Sequence, residues 1–331
     1  MIGDVLKVGN GKDYKHLAEG DIPVFGTGGY MLSVNDFLYD GDSVFIGRKG
    51  TINKPFFYSG KFWTVDTLFY THSFNKVIPH FVYGLFQRVN WNNYNEASGV
   101  PSLSKSTIEK IPIAIPSIEE QQKISSLLSL LDQRIETQKK IIEDLKKLKD
   151  AIRTKLFTSL ESHCNEYDEI RNMLHYEQPS AYLVNSTEYS EDYPTPVLTA
   201  NKAFILGYTD EEQGVYDKGD CIIFDDFTMD LKYVTFPFKV KSSAIKILTP
   251  RQNIDLYFIY EYLLYLGLVS EEHKRHYISE IESMNIIHPQ LKEQRQISQA
   301  LRSLEMQVGN AIALQNLLVK QKQHFLSRMF I

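Results

Sequence analysis

The sequence predicts an α+β fold: two mixed α/β globules joined by two long helices that form an intramolecular antiparallel coiled coil, with pseudo-twofold symmetry. Three observations carry this prediction. The phrase PSIEEQQKI at 116–124 returns as PQLKEQRQI at 289–297. After each copy the apolar side chains advance in alternating steps of four and three, the seam of a coiled coil rather than the wider stripe of a core-facing helix. Before each copy lie short β-branched and aromatic runs separated by Gly, Asp and Pro, which read as strands.

Four segments follow in order: a first globule at 1–115, a first helix at 116–158, a second globule at 159–288 and a second helix at 289–331. Within the first globule, IPVF (22–25), YDGDSVFI (39–46) and LFYTHSF (68–74) read as strands, and IPHFVYGLFQ from Ile78 reads as a helix. Fainter counterparts occur in the second globule as TPVL (195–198), YDKGDCIIF (216–224), IKILTPR (245–251) and the helix IDLYFIYEYLLYL from Ile254. The stretch 159–180 contains no glycine and reads as a link between the halves.

In the first helix a proline sets the entry, Ser117 is placed to cap it, and Glu119 and Glu120 suit the positive end of the helix dipole. Its seam is Ile124, Leu128, Leu131, Ile135, Gln138, Ile142 and Leu145. A shift of 173 positions lays this helix on the second without a gap, giving Ile297, Leu301, Leu304, Val308, Ala311, Gln315 and Leu318. A match sustained over both helices marks a repeated unit. Each helix would span roughly 60 Å at 1.5 Å per residue. Antiparallel pairing with Gln138 against Gln315 opposes Leu145 to Val308, Ile142 to Ala311, Leu128 to Phe325 and Ile152 to Leu301. Two layers then set a lysine against leucine, Lys149 opposite Leu304 and Lys322 opposite Leu131, where the long stems can carry the ammonium groups outward.

At 331 residues the chain exceeds one typical core. No apolar run is long enough to cross a bilayer, and the two cysteines, far apart in sequence, suit reduced thiols in a cytoplasmic protein. The net charge of −5 is uneven: +1 over 1–115, +2 over 116–158, −12 over 159–288 and +4 over 289–331. The acidity therefore belongs to the second globule.

Enzyme motifs are lacking. GNGKD (9–13) misses the glycine spacing and the hydroxyl residue of a phosphate-binding loop, and FGTGGY (25–30) lacks the strand–helix context of a dinucleotide fold. Asp225-Asp226 reads as structural, the nine histidines have no metal-ligand spacing on a helix, and no Asn-Pro-Pro-Tyr methyltransferase motif occurs. Surface-binding features are better represented. GRKGT puts Arg48, Lys49 and Thr51 in a glycine-flanked loop suited to phosphates or a guanine edge, and Lys12, Thr27 and Gly28 lie in the two Gly-rich turns. ASGVPSLSKSTI (97–108) offers Ser104 and Lys105 in a run that reads as flexible. The second globule offers Thr199, Asn201 and Lys202 in LTANKAF, and Thr228 and Lys232 in DFTMDLKY.

Several phrases resemble the specificity (S) subunit of type I restriction–modification systems: IPVFGTGGYML (22–32), DSVFIGRKGTI (42–52), FWTVDTLFY (62–70), EASGVPSLSKSTIEKIPI (96–113) and the helix start IPSIEEQQKI (115–124). HYEQPSAYLV (175–184), PVLTANKAFILGYTDE (196–211) and FPFKVKSSAIKIL (236–248) resemble a second class of that family's target recognition domains. The resemblance implies a non-catalytic subunit whose two globules each read one half of a bipartite duplex. It implies helices that fix the spacing and dock two methylation subunits. S-adenosylmethionine, ATP and Mg²⁺ would belong to those partners and to restriction subunits where present; this chain would hold no cofactor and contact no membrane. The competing reading is a coiled-coil scaffold or interaction protein with no direct DNA readout. Two departures stand out. The family commonly has a short stretch before an IGD-like first strand, on which this sequence starts at Met1. The acidic second globule also requires EYSED (188–192), DEEQ (210–213) and SEEH (270–273) to face away from DNA or toward a basic partner.

Cysteines substituted at Leu145 and Val308 should cross-link under mild oxidation, read as a mobility shift on non-reducing gels. Failure to cross-link would exclude the proposed register.

Overall fold

The computed structural model describes residues 1–199, 204–270 and 275–330. The chain forms two compact units, and each takes part of both long helices: residues 1–140 with 312–331, and residues 141–311.

The first unit is built on a six-stranded sheet. Its strands are β1 (Lys7–Asn10), β2 (Glu19–Gly26), β3 (Gly29–Val34), β4 (Tyr39–Gly47), β5 (Phe56–Thr64) and β6 (Leu68–His72), in the order β1-β6-β4-β5-β2-β3. Ile2–Asp4, where a first strand is expected, forms a 3-10 turn instead, and the sheet begins at Lys7. Alternation divides β4 between two faces. Val44 and Ile46 pack with Val82 and Phe86 of α1 (Pro79–Arg88), while Phe45 joins Phe25, Phe62 and Leu68 on the other side. The 97–108 run is ordered: it leads into a short helix, α2 (Lys105–Glu109), capped by Ser104.

α3 (Ile118–His163) carries the first copy of the repeated phrase, and Ser117 caps it through the N–H of Glu120 at 3.3 Å. Inside the first unit, Ile124 and Leu128 of α3 share a core with Leu326 of α6 (Leu291–Met329), with Phe330 just after it and with Phe81 and Leu85 of α1. Gly84 makes this approach possible, since a Cβ there would lie 2.8 Å from both Leu128 and Phe330.

The second unit repeats the topology with variations. Its elements are β7 (Tyr167–Glu169), α4 (Ile170–Met173), β8 (Leu174–Glu177), β9 (Thr195–Leu198), β10 (Ile205–Thr209), β11 (Cys221–Asp225), β12 (Leu231–Val234), β13 (Lys239–Val240), β14 (Ile245–Pro250), α5 (Leu256–Leu266) and β15 (Asn285–Ile287). The order β12-β11-β14-β8 reproduces β5-β4-β6-β1, and β9 pairs antiparallel with β10 and parallel with β13 as β2 does with β3 and β5. Pro237 interrupts the strand that is continuous as β5 in the first unit; lacking an N–H, it separates β12 from β13.

The 159–180 stretch is not a link. α3 continues to His163, and Leu160, Ile170, Met173 and Leu174 are buried in the second unit's core with Phe258, Ile297 and Leu301. The expected boundary at 158 rested on the end of the repeat and missed this apolar spacing.

The repeated phrase has one physical role in both units. Gln121 is fully buried; its side-chain oxygen accepts the N–H of Ile78, the N-cap of α1, at 3.0 Å, and its amide donates to the carbonyl of Pro116 at 3.0 Å. Gln294, also fully buried, accepts the N–H of Asp255, the N-cap of α5, at 2.9 Å and donates to Pro289 at 2.8 Å. Each glutamine thus ties the start of a long helix to the start of its own unit's short one.

The two discordant lysines are likewise equivalent. Lys149 pairs with Glu305 and Lys322 with Asp132, and the 173-residue shift exchanges one pair for the other. In the second unit Lys149 also approaches Glu261 of α5 at 2.8 Å, and Arg153 does so at 2.7 Å. Burial pushes the Glu261 carboxyl upward, but hydrogen bonds from Lys149, Tyr257 and Arg153 outweigh it and hold the group below the usual range.

Gln121→Ala and Gln294→Ala should each destabilise the protein by about 2–3 kcal/mol, because buried backbone groups lose their partners. The denaturation midpoint should fall, whereas substitution of the exposed neighbour Gln122 should leave it unchanged. Near the end of α3, His163 meets Glu293 at 3.1 Å, and that hydrogen bond raises its pKa above the ordinary 6.5. Stability from this contact is therefore complete below pH 6.5 and disappears as pH rises through the raised value. NMR titration of Glu293→Gln should show the His163 pKa returning downward.

Candidate nucleic-acid interface

In the first unit, four strand connections and the 101–103 segment converge at one edge of the sheet, the end where β4 stops and β6 starts. After β1, Gly11 donates to the carbonyl of Leu68 at 3.2 Å and Lys12 to that of Thr64 at 2.8 Å. The β5–β6 turn then supports the GRKGT loop: the N–H groups of Arg48 and Lys49 both point to the carbonyl of Thr67, at 2.8 and 3.3 Å. From the other side the 101–103 segment closes on the same loop. Lys49 bridges Ser102, Gly50 donates to Pro101 at 2.9 Å, and Leu103 donates to Arg48 at 2.9 Å. The β2–β3 turn completes the group, with the Thr27 hydroxyl 3.9 Å from the position a Cβ would take on Gly50.

The loop's glycines explain its shape. A Cβ on Gly47 would meet the carbonyl of Thr51 at 2.2 Å, and Gly50 has φ +86°, the region that favours glycine. The loop's backbone groups are satisfied by the β5–β6 turn and the 101–103 segment, and the side chains of Arg48 and Lys49 extend into solvent. The Arg48 guanidinium is steadied by the carbonyl of Asp66 at 3.3 Å and by the ring of Phe69 at 6.0 Å. Lys12, Thr27, Gly28, Arg48, Lys49 and Thr51 therefore share one edge. It offers cations, hydroxyls and a glycine turn open to a close neighbour, the groups that contact phosphates and base edges.

Ser104 follows Leu103 at the margin of this group, and Lys105 points away from it. The Ser104 hydroxyl caps α2 by accepting the N–H of Thr107 at 3.2 Å. Lys105 pairs with Glu109 at 3.6 Å, and after burial its charge and that of Lys7 depress the pKa of His72, at the opposite end of β6. Asp66 and Thr67, which form the supporting turn, lie within the phrase FWTVDTLFY but are not among the expected site residues.

The second unit builds the corresponding edge from different residues. Thr199 follows β9 and is buried, donating its N–H to Phe204 at 3.0 Å; Asn201 and Lys202 fall outside the described residues. Thr228 sits exposed in the β11–β12 turn, where its hydroxyl accepts the N–H of Asp230 at 3.3 Å. Lys232 is exposed on β12, opposite Ile223. Asp225 and Asp226 are structural. Asp225 accepts the N–H groups of Phe227 and Thr228 at 2.8 and 3.2 Å. Asp226 accepts those of His276 and Tyr277 at 3.1 and 2.9 Å and pairs with buried Lys246 at 3.2 Å.

Several acidic groups of this unit are neutralised internally. Glu211 pairs with buried Lys239 at 2.9 Å and accepts the N–H groups of Asn185 and Ser186, whose bonds lower its pKa together with Lys239. Glu177 pairs with Lys218 at 2.7 Å. Of the three acidic stretches, DEEQ thus meets a basic partner within the unit through Glu211, while Asp210 and Glu212 are exposed. EYSED lies along β10, with Ser190 donating to Tyr208 at 3.1 Å and the Lys241 ammonium 6.0 Å from the Tyr189 ring. SEEH lies outside the described residues beyond Ser270.

Among the described residues no group of His, Cys, Asp and Glu is arranged to hold a metal ion, and no helix is long and apolar enough to cross a membrane.

Comparison with known proteins agrees with this geometry. The family described as "Type I restriction modification DNA specificity domain" matches twice, at residues 1–147 and 169–316. The type I restriction enzyme EcoR124I/EcoR124II specificity subunit of Escherichia coli is 46% identical over 117 residues, which is 34% of this chain and 29% of that subunit. A putative type I restriction enzyme MjaX specificity subunit from Methanocaldococcus jannaschii is 24% identical over 91% of this chain and 77% of its own length. Among solved structures, the S subunit of a type I restriction–modification system from M. genitalium superposes with TM-score 0.70 at 16% identity, covering 100% of this chain and 95% of that one. A chain from a structure on complex assembly in the type I R-M system gives TM-score 0.55 at 14% identity, with coverage of 98% and 97%. The family model matches twice, once on each globule, and the chain belongs to the type I restriction–modification DNA specificity family.

Proposed function

We propose that this chain is the DNA-recognition subunit of a type I restriction–modification assembly, with each unit reading one half of a bipartite duplex. The observation that carries this reading is the edge of the first unit, where backbone hydrogen bonds hold Lys12 and the GRKGT loop, with Arg48, Lys49 and Thr51, against the β5–β6 turn and the 101–103 segment, and Thr27 and Gly28 lie on the adjoining β2–β3 turn. Cations on a preformed loop can neutralise phosphates and, in the case of an arginine, grip a guanine edge bidentately.

The helices serve as spacer and docking surface for two methylation subunits. Their outer faces support this role with apolar side chains that no core uses: Leu317 in the first unit is 63% exposed and Met306 in the second 67% exposed. The chain itself is non-catalytic and binds no cofactor. S-adenosylmethionine, ATP and Mg²⁺ act on the methylation subunits and on restriction subunits where present, in the cytoplasm.

A scaffold without DNA readout is favoured only by the acidity of the second globule, and one of its acids, Glu261, is matched by Lys149 and Arg153 from the first long helix. The assembled complex should retard one bipartite duplex in preference to random DNA, with strong salt dependence. Arg48→Ala combined with Lys49→Ala should weaken binding about ten-fold or more and relax discrimination at one half-site alone. Equal relaxation at both halves would contradict the assignment of one unit per half-site.

A further inference from the structure

The two edges can be superposed residue by residue through their backbone hydrogen bonds, and the match shows where the second unit keeps its cation. In the first unit the N–H of Arg48 donates to Thr67 at 2.8 Å, its carbonyl accepts Leu103 at 2.9 Å, and Ser102 lies beside the loop. In the second unit the N–H of Asp226 donates to Ala244 at 3.0 Å, and its carbonyl accepts His276 at 3.0 Å. Asp226 therefore occupies the place of Arg48, His276 that of Leu103, and Arg275 that of Ser102. The preceding residues agree: Gly47 pairs with Leu68 on the neighbouring strand, and Asp225 pairs with Ile245.

The basic residue has thus moved from the loop to the segment that crosses it. A carboxylate in the place of Arg48 would repel a phosphate, but Asp226 is buried and turned inward, accepting the N–H groups of His276 and Tyr277 and facing the Lys246 ammonium. Arg275 stays outside. Its side chain is 58% exposed, its Nε lies 3.9 Å from Asp226, and its guanidinium is 6.0 Å from the Phe227 ring. Among the described residues the charged groups around it are Asp226, with Lys246 behind, and the Glu280 carboxylate that engages the His276 ring. With Asp226 matched by Lys246, the Arg275 charge is left to act outward.

We propose that Arg275 is the second unit's counterpart of Arg48: the DNA-contacting cation of that unit, and a determinant of specificity for its half-site. The proposal rests on the DNA-recognition reading above and assigns a residue within it. Arg275 ranks above Lys232 for this role because it lies on the segment that closes over the β11–β12 turn, as 101–103 closes over GRKGT.

The test uses the complex assembled with its methylation subunits and the duplex motif that this complex methylates. Arg275→Ala should weaken binding about ten-fold and lower the salt dependence by about one phosphate equivalent. It should relax discrimination only in the half-site that Arg48→Ala leaves intact, and Arg275→Lys should recover most of the salt dependence but little of the discrimination. An unchanged melting temperature in both variants excludes a folding defect. If Arg48→Ala relaxes one half-site while Arg275→Ala behaves as the parent, the assignment of Arg275 is overturned and the DNA-recognition reading stands. If neither half of any duplex is discriminated by the parent complex, that reading itself fails.

Discussion

A long helix leaving a small globule needs a fixed point, or every contact at the far side of the globule loses its orientation. In each unit that point is one buried glutamine. Gln121 and Gln294 hold the N-cap N–H of the short helix and the carbonyl of the preceding proline at once. A side-chain amide suits the task because it accepts and donates in one plane, and two buried backbone groups that would otherwise be orphaned are satisfied together. From there α1 and α5 lie against their sheets, and the sheets carry the loops that form the candidate interface.

Around this shared anchor the two units diverge in chemistry. The first closes the joint between its short and long helices with Gly84 under Leu128 and Phe330. The second places Glu261 there, between Lys149 and Arg153. A lone buried carboxylate would be costly, and only the convergence of two cations and a phenol keeps it ionised. The Lys149–Glu305 and Lys322–Asp132 pairs show the repeat acting on charges as well as on apolar layers.

Much of this architecture was legible in the sequence. The 4-3 spacing marked both helices, and the likeness of YDGDSVFI to YDKGDCIIF located β4 and β11, which pair with equivalent neighbours. Local pattern failed where tertiary contact decides. Leu160, Ile170, Met173 and Leu174 resemble a linker until the second core is assembled around them, and 97–108 looks mobile until Lys49 bridges Ser102. The interface divides in the same way. Gly-flanked GRKGT announces itself through turn chemistry, whereas Arg275 has no local signature, because its position follows from hydrogen bonds to Asp226, a residue 49 places earlier in the chain.

The contrast between Gly84 and Glu261 bears on how the protein meets heat and cold. An apolar joint draws on the hydrophobic effect, which weakens on cooling, so the first unit's helices are held least firmly in the cold. The penalty for desolvating charges falls as temperature rises, so the ionic joint around Glu261 loses least on warming. Two joints built on one repeated plan thus share an apolar core, and the second adds an ionic part with its own dependence on temperature.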